Sequence, residues 1–183
     1  TFARQNWELL SMWGDYLVNN GFDPGNQLCT DDFAGHLAHN CNLSIKAIMG
    51  IASYSILCDM MGKSEEAQKL MVLAENMAKD WEVKARDGDH YKLAFDQPGT
   101  WSLKYNMIWD QLFNTNIFPK QIIEKEIAYY REKQNKYGVP LDSRNTYTKV
   151  DWLVWCASMA DSNEAFEDMI NHLWDFANET LNR

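Results

Sequence analysis

Between Leu43 and Cys58 the chain reads LSIKAIMGIASYSILC, and Lys46 is the only charge in it. A helix that is apolar almost all the way round belongs where other protein surrounds it. The chain must therefore wrap further elements around this one. Its approach is opposite in character, with Asp31, Asp32, His36, His39, Asn40 and Asn42 crowded between Thr30 and Asn42. A polar knot feeding a buried helix needs internal hydrogen-bond partners or a chemical task.

The rest of the chain alternates in the same way. Trp7, Leu10, Trp13 and Leu17 mark an amphipathic helix interrupted by Gly14, and Gly21 with Asp23-Pro24-Gly25 stops it. After Gly62 ends the buried helix, Ser64 is placed to cap an amphipathic one that runs on past Trp81. A polar and aromatic loop from Asp87 to Ser102 precedes a short apolar helix around Tyr105 to Phe113. Pro119 fits the first position of a helix reaching Lys136, with Ile122, Ile123, Ile127 and Tyr130 among its charges. Another loop, YGVPLDSRNTYTK, precedes an almost wholly apolar run from Val150 to Ala160. An amphipathic helix from Asn163 to Asn178 closes the series. No stretch sustains the period-two alternation of a strand.

Half-wet helices alternating with dry ones, with short turns after each dry helix and long polar loops before it, describe two layers of helical hairpins. An antiparallel bundle would leave every helix one wet face. The expected fold is therefore all-α, an α/α toroid-like array of about seven main helices forming part of a six-hairpin toroid, with residues 1–183 as one helical domain. The sequence reads as a piece of a longer multidomain protein.

A net charge of −9 without any Lys/Arg cluster disfavours nucleic acid and anionic membrane as partners. Cys29, Cys41, Cys58 and Cys156 stand far apart, as free buried thiols rather than a disulfide framework. His36 and His39 are spaced like a metal pair on a helical face with Asp32, but spacing positions no third strong ligand, so no metal and no cofactor is expected. Lys46 reads as a buried partner for Asp31 or Asp32.

If neighbouring helices run antiparallel, the dry helices share one direction and the three loops before them meet on one rim. Each loop carries an aspartate close behind a leucine: Leu28 with Asp31, Leu93 with Asp96, Leu141 with Asp142. Asp31, Asp32, Asp96, Asp142, His36 and His39 are the candidate catalytic residues. Asn42, Lys46, Gln97, Trp101, Arg144 and Tyr147 are the candidate substrate contacts. Carboxylates, imidazoles, amides and an aromatic wall at a concave mouth suit hydrolysis of a small polar substrate, one acid activating water and another protonating the leaving group. The plain alternative is that these aspartates cap turns and helix ends.

Four runs, LCTDDFAGHLAHNCNLSIKAIMGIASY, GDHYKLAFDQPGTWSLKYNMIWD, FPKQIIEKEIAYYREKQNKYGVPLDSR and YTKVDWLVW, resemble the helical domain of the glutaminase A family over nearly the whole chain. The resemblance implies an α/α six-hairpin-like catalytic region that follows a β-rich N-terminal domain, a secreted or periplasmic location, and hydrolysis of glutamine to glutamate and ammonia. The same scaffold also carries carbohydrate-active hydrolases and sugar-binding modules, for which Trp101, Tyr105, Trp109, Trp152 and Trp155 offer stacking surfaces. A third reading is a non-catalytic scaffold whose rim groups satisfy one another.

Overall fold

The computed structural model describes residues 2–26 and 35–181. Eight helices and a 3-10 turn account for its regular structure: α1 Phe2–Gln5, α2 Trp7–Asn20, α3 Cys41–Met60, α4 Ser64–Ala85, the 3-10 turn Tyr105–Met107 leading into α5 Ile108–Leu112, α6 Lys120–Glu132, α7 Val150–Ser158 and α8 Asn163–Glu179. A ribbon of two residues a side, β1 Arg86–Asp87 against β2 His90–Tyr91, is the only named sheet among the described residues.

The layering follows from where each helix hides its apolar atoms. In α3, Cys41, Ile45, Ile48, Ile51, Ala52 and Cys58 are completely buried. This helix packs chiefly against α4, with α2 and the 3-10 turn on its other sides. Its length and apolar character would also suit a membrane span, but most of it is packed inside the fold as a core helix. The inner layer continues through the 3-10 turn and α5 to α7, which contact one another in turn. Outside lie α2, α4, α6 and α8, each with one dry face. On α4 that face is Ala67, Ala74, Met77, Ala78, Trp81 and Ala85, and on α6 it is Ile122, Ile123, Glu126, Ile127 and Tyr130. The array of helical hairpins expected from the alternation is the one observed.

Local chemistry moves several boundaries. Ser64 is the first residue of α4 rather than its cap. Lys63 holds the N-cap position without a side-chain bond, and the Ser64 hydroxyl donates to Asp59 instead at 2.8 Å. Pro119 takes the N-cap position of α6, which ends at Glu132 instead of Lys136. The expected helix from Tyr105 opens as a tighter 3-10 turn before α5 begins. Buried Asp110 ends this unit by accepting the backbone N–H groups of Ile117 and Phe118, both at 3.0 Å. The thiols of Cys41, Cys58 and Cys156 are free and buried, and burial pushes Cys41 up to about 12.

Gly14, an apparent weakness of α2, is its point of closest approach. A Cβ there would stand 2.5 Å from Cδ1 of Tyr54, whose ring also stacks on Trp7 and whose hydroxyl bonds Ser11. The inward stripe is therefore Trp7, Leu10, Gly14 and Leu17, and Trp13 faces out, 55% exposed. Replacing Gly14 by Ala gains about 1 kcal/mol of helix propensity, but forcing α2 off α3 costs about 1–3 kcal/mol. Thermal melting is expected to show a net loss of stability.

Candidate functional site

The three long loops are sewn together by main-chain hydrogen bonds. Cys41 N–H donates to the Leu93 carbonyl and Phe95 N–H to the His39 carbonyl, both at 2.9 Å. Further along, Leu103 N–H donates to Leu141 O at 2.8 Å and Ser143 N–H to Trp101 O at 3.0 Å. The starts of α3, the 3-10 turn and the segment leading to α7 are thereby gathered at one end of the inner layer. Side chains reinforce the seam. Asn42 Oδ1 accepts from Asn106 N–H, while the Asn106 amide donates to the Asn42 carbonyl, each at 3.2 Å. Tyr105 stacks on Trp152 with ring centroids 4.6 Å apart, and Lys149 lies over the same Trp152 ring. From the outer layer, the Trp81 indole donates to the Cys41 carbonyl at 2.9 Å.

Beneath this rim is a charged centre that sequence reasoning missed. Lys104, Glu126 and Tyr130 are almost wholly buried. The Lys104 ammonium donates to the carbonyls of Tyr91 at 3.0 Å and Ser102 at 2.8 Å, and reaches Glu126 Oε2 at 3.4 Å. Glu126 Oε1 accepts the Tyr91 N–H, and Oε2 accepts the Tyr130 hydroxyl at 2.5 Å. That hydroxyl in turn accepts the Lys104 N–H at 2.8 Å. Burial first, and then the Glu126 charge, push the Tyr130 hydroxyl far above its ordinary value, so it remains a donor. The centre holds both ends of the 91–104 loop. A signal was present: Glu126 lies on the dry stripe of its helix, and Lys104 interrupts an apolar run.

The candidate residues divide accordingly. Asp31 and Asp32 lie outside the described residues. Asp96 is exposed on the rim, and Gln97 forms the turn behind it, its carbonyl accepting from Thr100. Asp142 is 3% exposed and committed: Arg144 grips it through Nε at 3.0 Å and a terminal nitrogen at 2.6 Å, and its Oδ1 accepts the Arg144 N–H at 2.8 Å. This is the turn-capping arrangement. Arg144 and Tyr147 sit on the exposed part of the same loop. Asn42 is buried in its pairing with Asn106, and Trp101 is buried against Tyr129 and Tyr130, so both build the rim from inside. Lys46 is exposed, against the expectation of a buried partner, because its position in the second turn of α3 projects it away from the core. Among the described residues no three His, Cys, Asp or Glu side chains cluster to hold a metal ion.

The two imidazoles do not share a helical face, because α3 begins only at Cys41, capped by Asn40. His36 is exposed in the preceding loop. His39 adopts a left-handed backbone, φ 60°, and its Nδ1 meets Asp23 at 2.7 Å. That hydrogen bond raises the His39 pKa, helped by the charges of Asp23 and Asp96 and opposed by desolvation and, least, by Lys84. A raised histidine pKa means the pair's stabilisation is present below the unfolded value near 6.5 and is lost as pH climbs through the folded value. A histidine NMR titration should therefore place the His39 midpoint above 6.5, and Asp23→Asn should lower it.

The aromatic residues proposed as sugar platforms largely stack on one another: Tyr105 on Trp152, and Trp109 edge-on to Trp155. Comparison with known proteins then decides the family. All of residues 1–183 match the glutaminase A six helical-hairpin domain. The chain belongs to that family. It is 33% identical to Glutaminase A of Aspergillus oryzae over 184 aligned residues, covering 98% of this chain and 26% of the fungal protein. It is 32% identical to a protein named "Probable glutaminase" of Arthroderma benhamiae, covering 98% of this chain and 24% of that one. The chain thus spans about a quarter of the length of these glutaminase-family relatives.

Proposed function

We propose that the longer protein containing this helical domain is a glutaminase-type amidohydrolase, converting glutamine to glutamate and ammonia. Membership of the glutaminase A family carries the reading, and the sewn rim supports it by bringing loops distant in sequence together. In this reading Asp96 takes a proton from water as the water attacks the side-chain carbonyl. The C–N bond breaks, and a proton delivered from an imidazole, His39 or His36, leaves with ammonia. Lys46, which is exposed, offers positive charge to the substrate's α-carboxylate, and Arg144 lines the rim with its charge paired to Asp142. Tyr147 and Gln97 lie on the same loops as further contacts, while Asn42, Trp101 and Asp142 hold the mouth in shape.

The likeness to the family also carries an extracytoplasmic location and a β-rich N-terminal domain, which cell fractionation and the gene's full reading frame test. Ammonia release from glutamine by the full-length protein is the direct assay. A folded full-length protein that releases none would overturn the proposed activity.

A further inference from the structure

Helix α2 has two apolar faces, and the fold uses one of them. Trp7, Leu10, Gly14 and Leu17 point at α3 and its surroundings. On the far side Leu9, Met12, Trp13 and Tyr16 are 40%, 58%, 55% and 55% exposed. Their spacing of i, i+3, i+4 and i+7 makes one continuous ridge, with Glu8 and Asp15 displaced to its flank. Such a ridge matches the grooves of a packing helix. Soluble chains rarely leave apolar stripes of this kind uncovered.

The position of α2 in the arc says what covers it. Its packing is chiefly on α3, whereas α6, which packs on α8 and β2, has no large apolar side chain among the exposed ones. At the other end of the arc α8 shows the same symptom, with Trp174 72% exposed. Six hairpins amount to twelve helices, and the described residues supply seven principal ones, counting the 3-10 turn with α5 as one. Relatives sharing this domain are about four times the chain's length. We infer that the Leu9–Met12–Trp13–Tyr16 ridge is a seam, packed in the longer protein against another helical hairpin of the same polypeptide. The occupant is helical because a straight ridge over two turns fits a helix groove, and intramolecular because the relatives carry about three further chain-lengths of polypeptide and the six-hairpin domain calls for more helices than these seven.

Hydroxyl-radical footprinting of the full-length protein tests the seam directly, since Met12 and Trp13 are both oxidisable. Their oxidation should be several-fold slower than in the same protein unfolded in denaturant, and the protection should persist on dilution to nanomolar concentration. Trp13→Glu with Tyr16→Glu should lower the melting temperature of the full-length protein by several degrees, where a solvent-facing pair would barely move it. Unprotected Met12 and Trp13 would overturn the inference. So would protection that vanishes on dilution, which would make a second copy the occupant. Neither readout involves glutamine, so a failed ammonia assay leaves the seam standing, and an uncovered ridge leaves the activity untouched.

Discussion

Glu126→Ala is expected to cost about 3–5 kcal/mol of folding stability, the range found when one partner of a buried ion pair is deleted. The substitution strands the Lys104 ammonium, which is 1% exposed. It also removes the acceptor of the Tyr91 N–H and leaves the Tyr130 hydroxyl only the Ser102 carbonyl, at 3.1 Å. Urea denaturation followed by circular dichroism measures the loss. Removing both charges together, as Lys104→Met with Glu126→Leu, should recover much of it, because the penalty lies in the unpaired charge more than in the missing attraction. Tyr130→Phe deletes only a neutral group from the centre and should cost nearer 1–3 kcal/mol. If Glu126→Ala costs under 1 kcal/mol, the 91–104 loop is not held from below as described.

For activity, Asp96→Asn in the full-length protein should lower ammonia release by about 10²–10⁴-fold, the range associated with a general base, and leave the melting temperature nearly unchanged. Asp96 is exposed on the rim, so its charge can be removed without opening the core. Asp142→Asn makes the contrast. Its carboxylate is buried under a bidentate Arg144, so the substitution should loosen the rim and lower stability along with any activity. Full turnover by Asp96→Asn would remove Asp96 from the mechanism. A stable, inactive Asp142→Asn would return the catalytic role to Asp142.

Helix type and layer were legible because alternation of dry and half-wet helices is a long-range signal, robust to errors at single residues. What failed was local. Gly14 reads as a weak point because sequence does not show that the Tyr54 ring presses against it, and Trp13 joins the inward stripe because its spacing from Leu10 and Leu17 fits the helical period. His36 and His39 were assigned a common helical face one turn before the helix begins. Lys46 was placed inside because its neighbours are apolar, although a single residue on an apolar helix can still point outward. Asn42, in the first turn of α3, and the loop residue Asp142 are consumed by bonds to Asn106 and Arg144, and the Asn42–Asn106 pairing across 64 residues leaves no trace in spacing. Glu126 was the avoidable miss, since an acid on a dry stripe calls for a buried cation.

Because the rim is tied together through peptide groups at Cys41, Phe95, Leu103 and Ser143, its outline does not depend on which side chains decorate its exposed edge. A library randomised at His36, Asp96, Gln97 and Tyr147, with the Arg144–Asp142 pair kept, should consist mostly of folded proteins. Proline at any one of the four donor positions would remove a tie outright. Such an architecture can exchange one substrate for another by surface substitutions alone, with the frame carried forward unchanged.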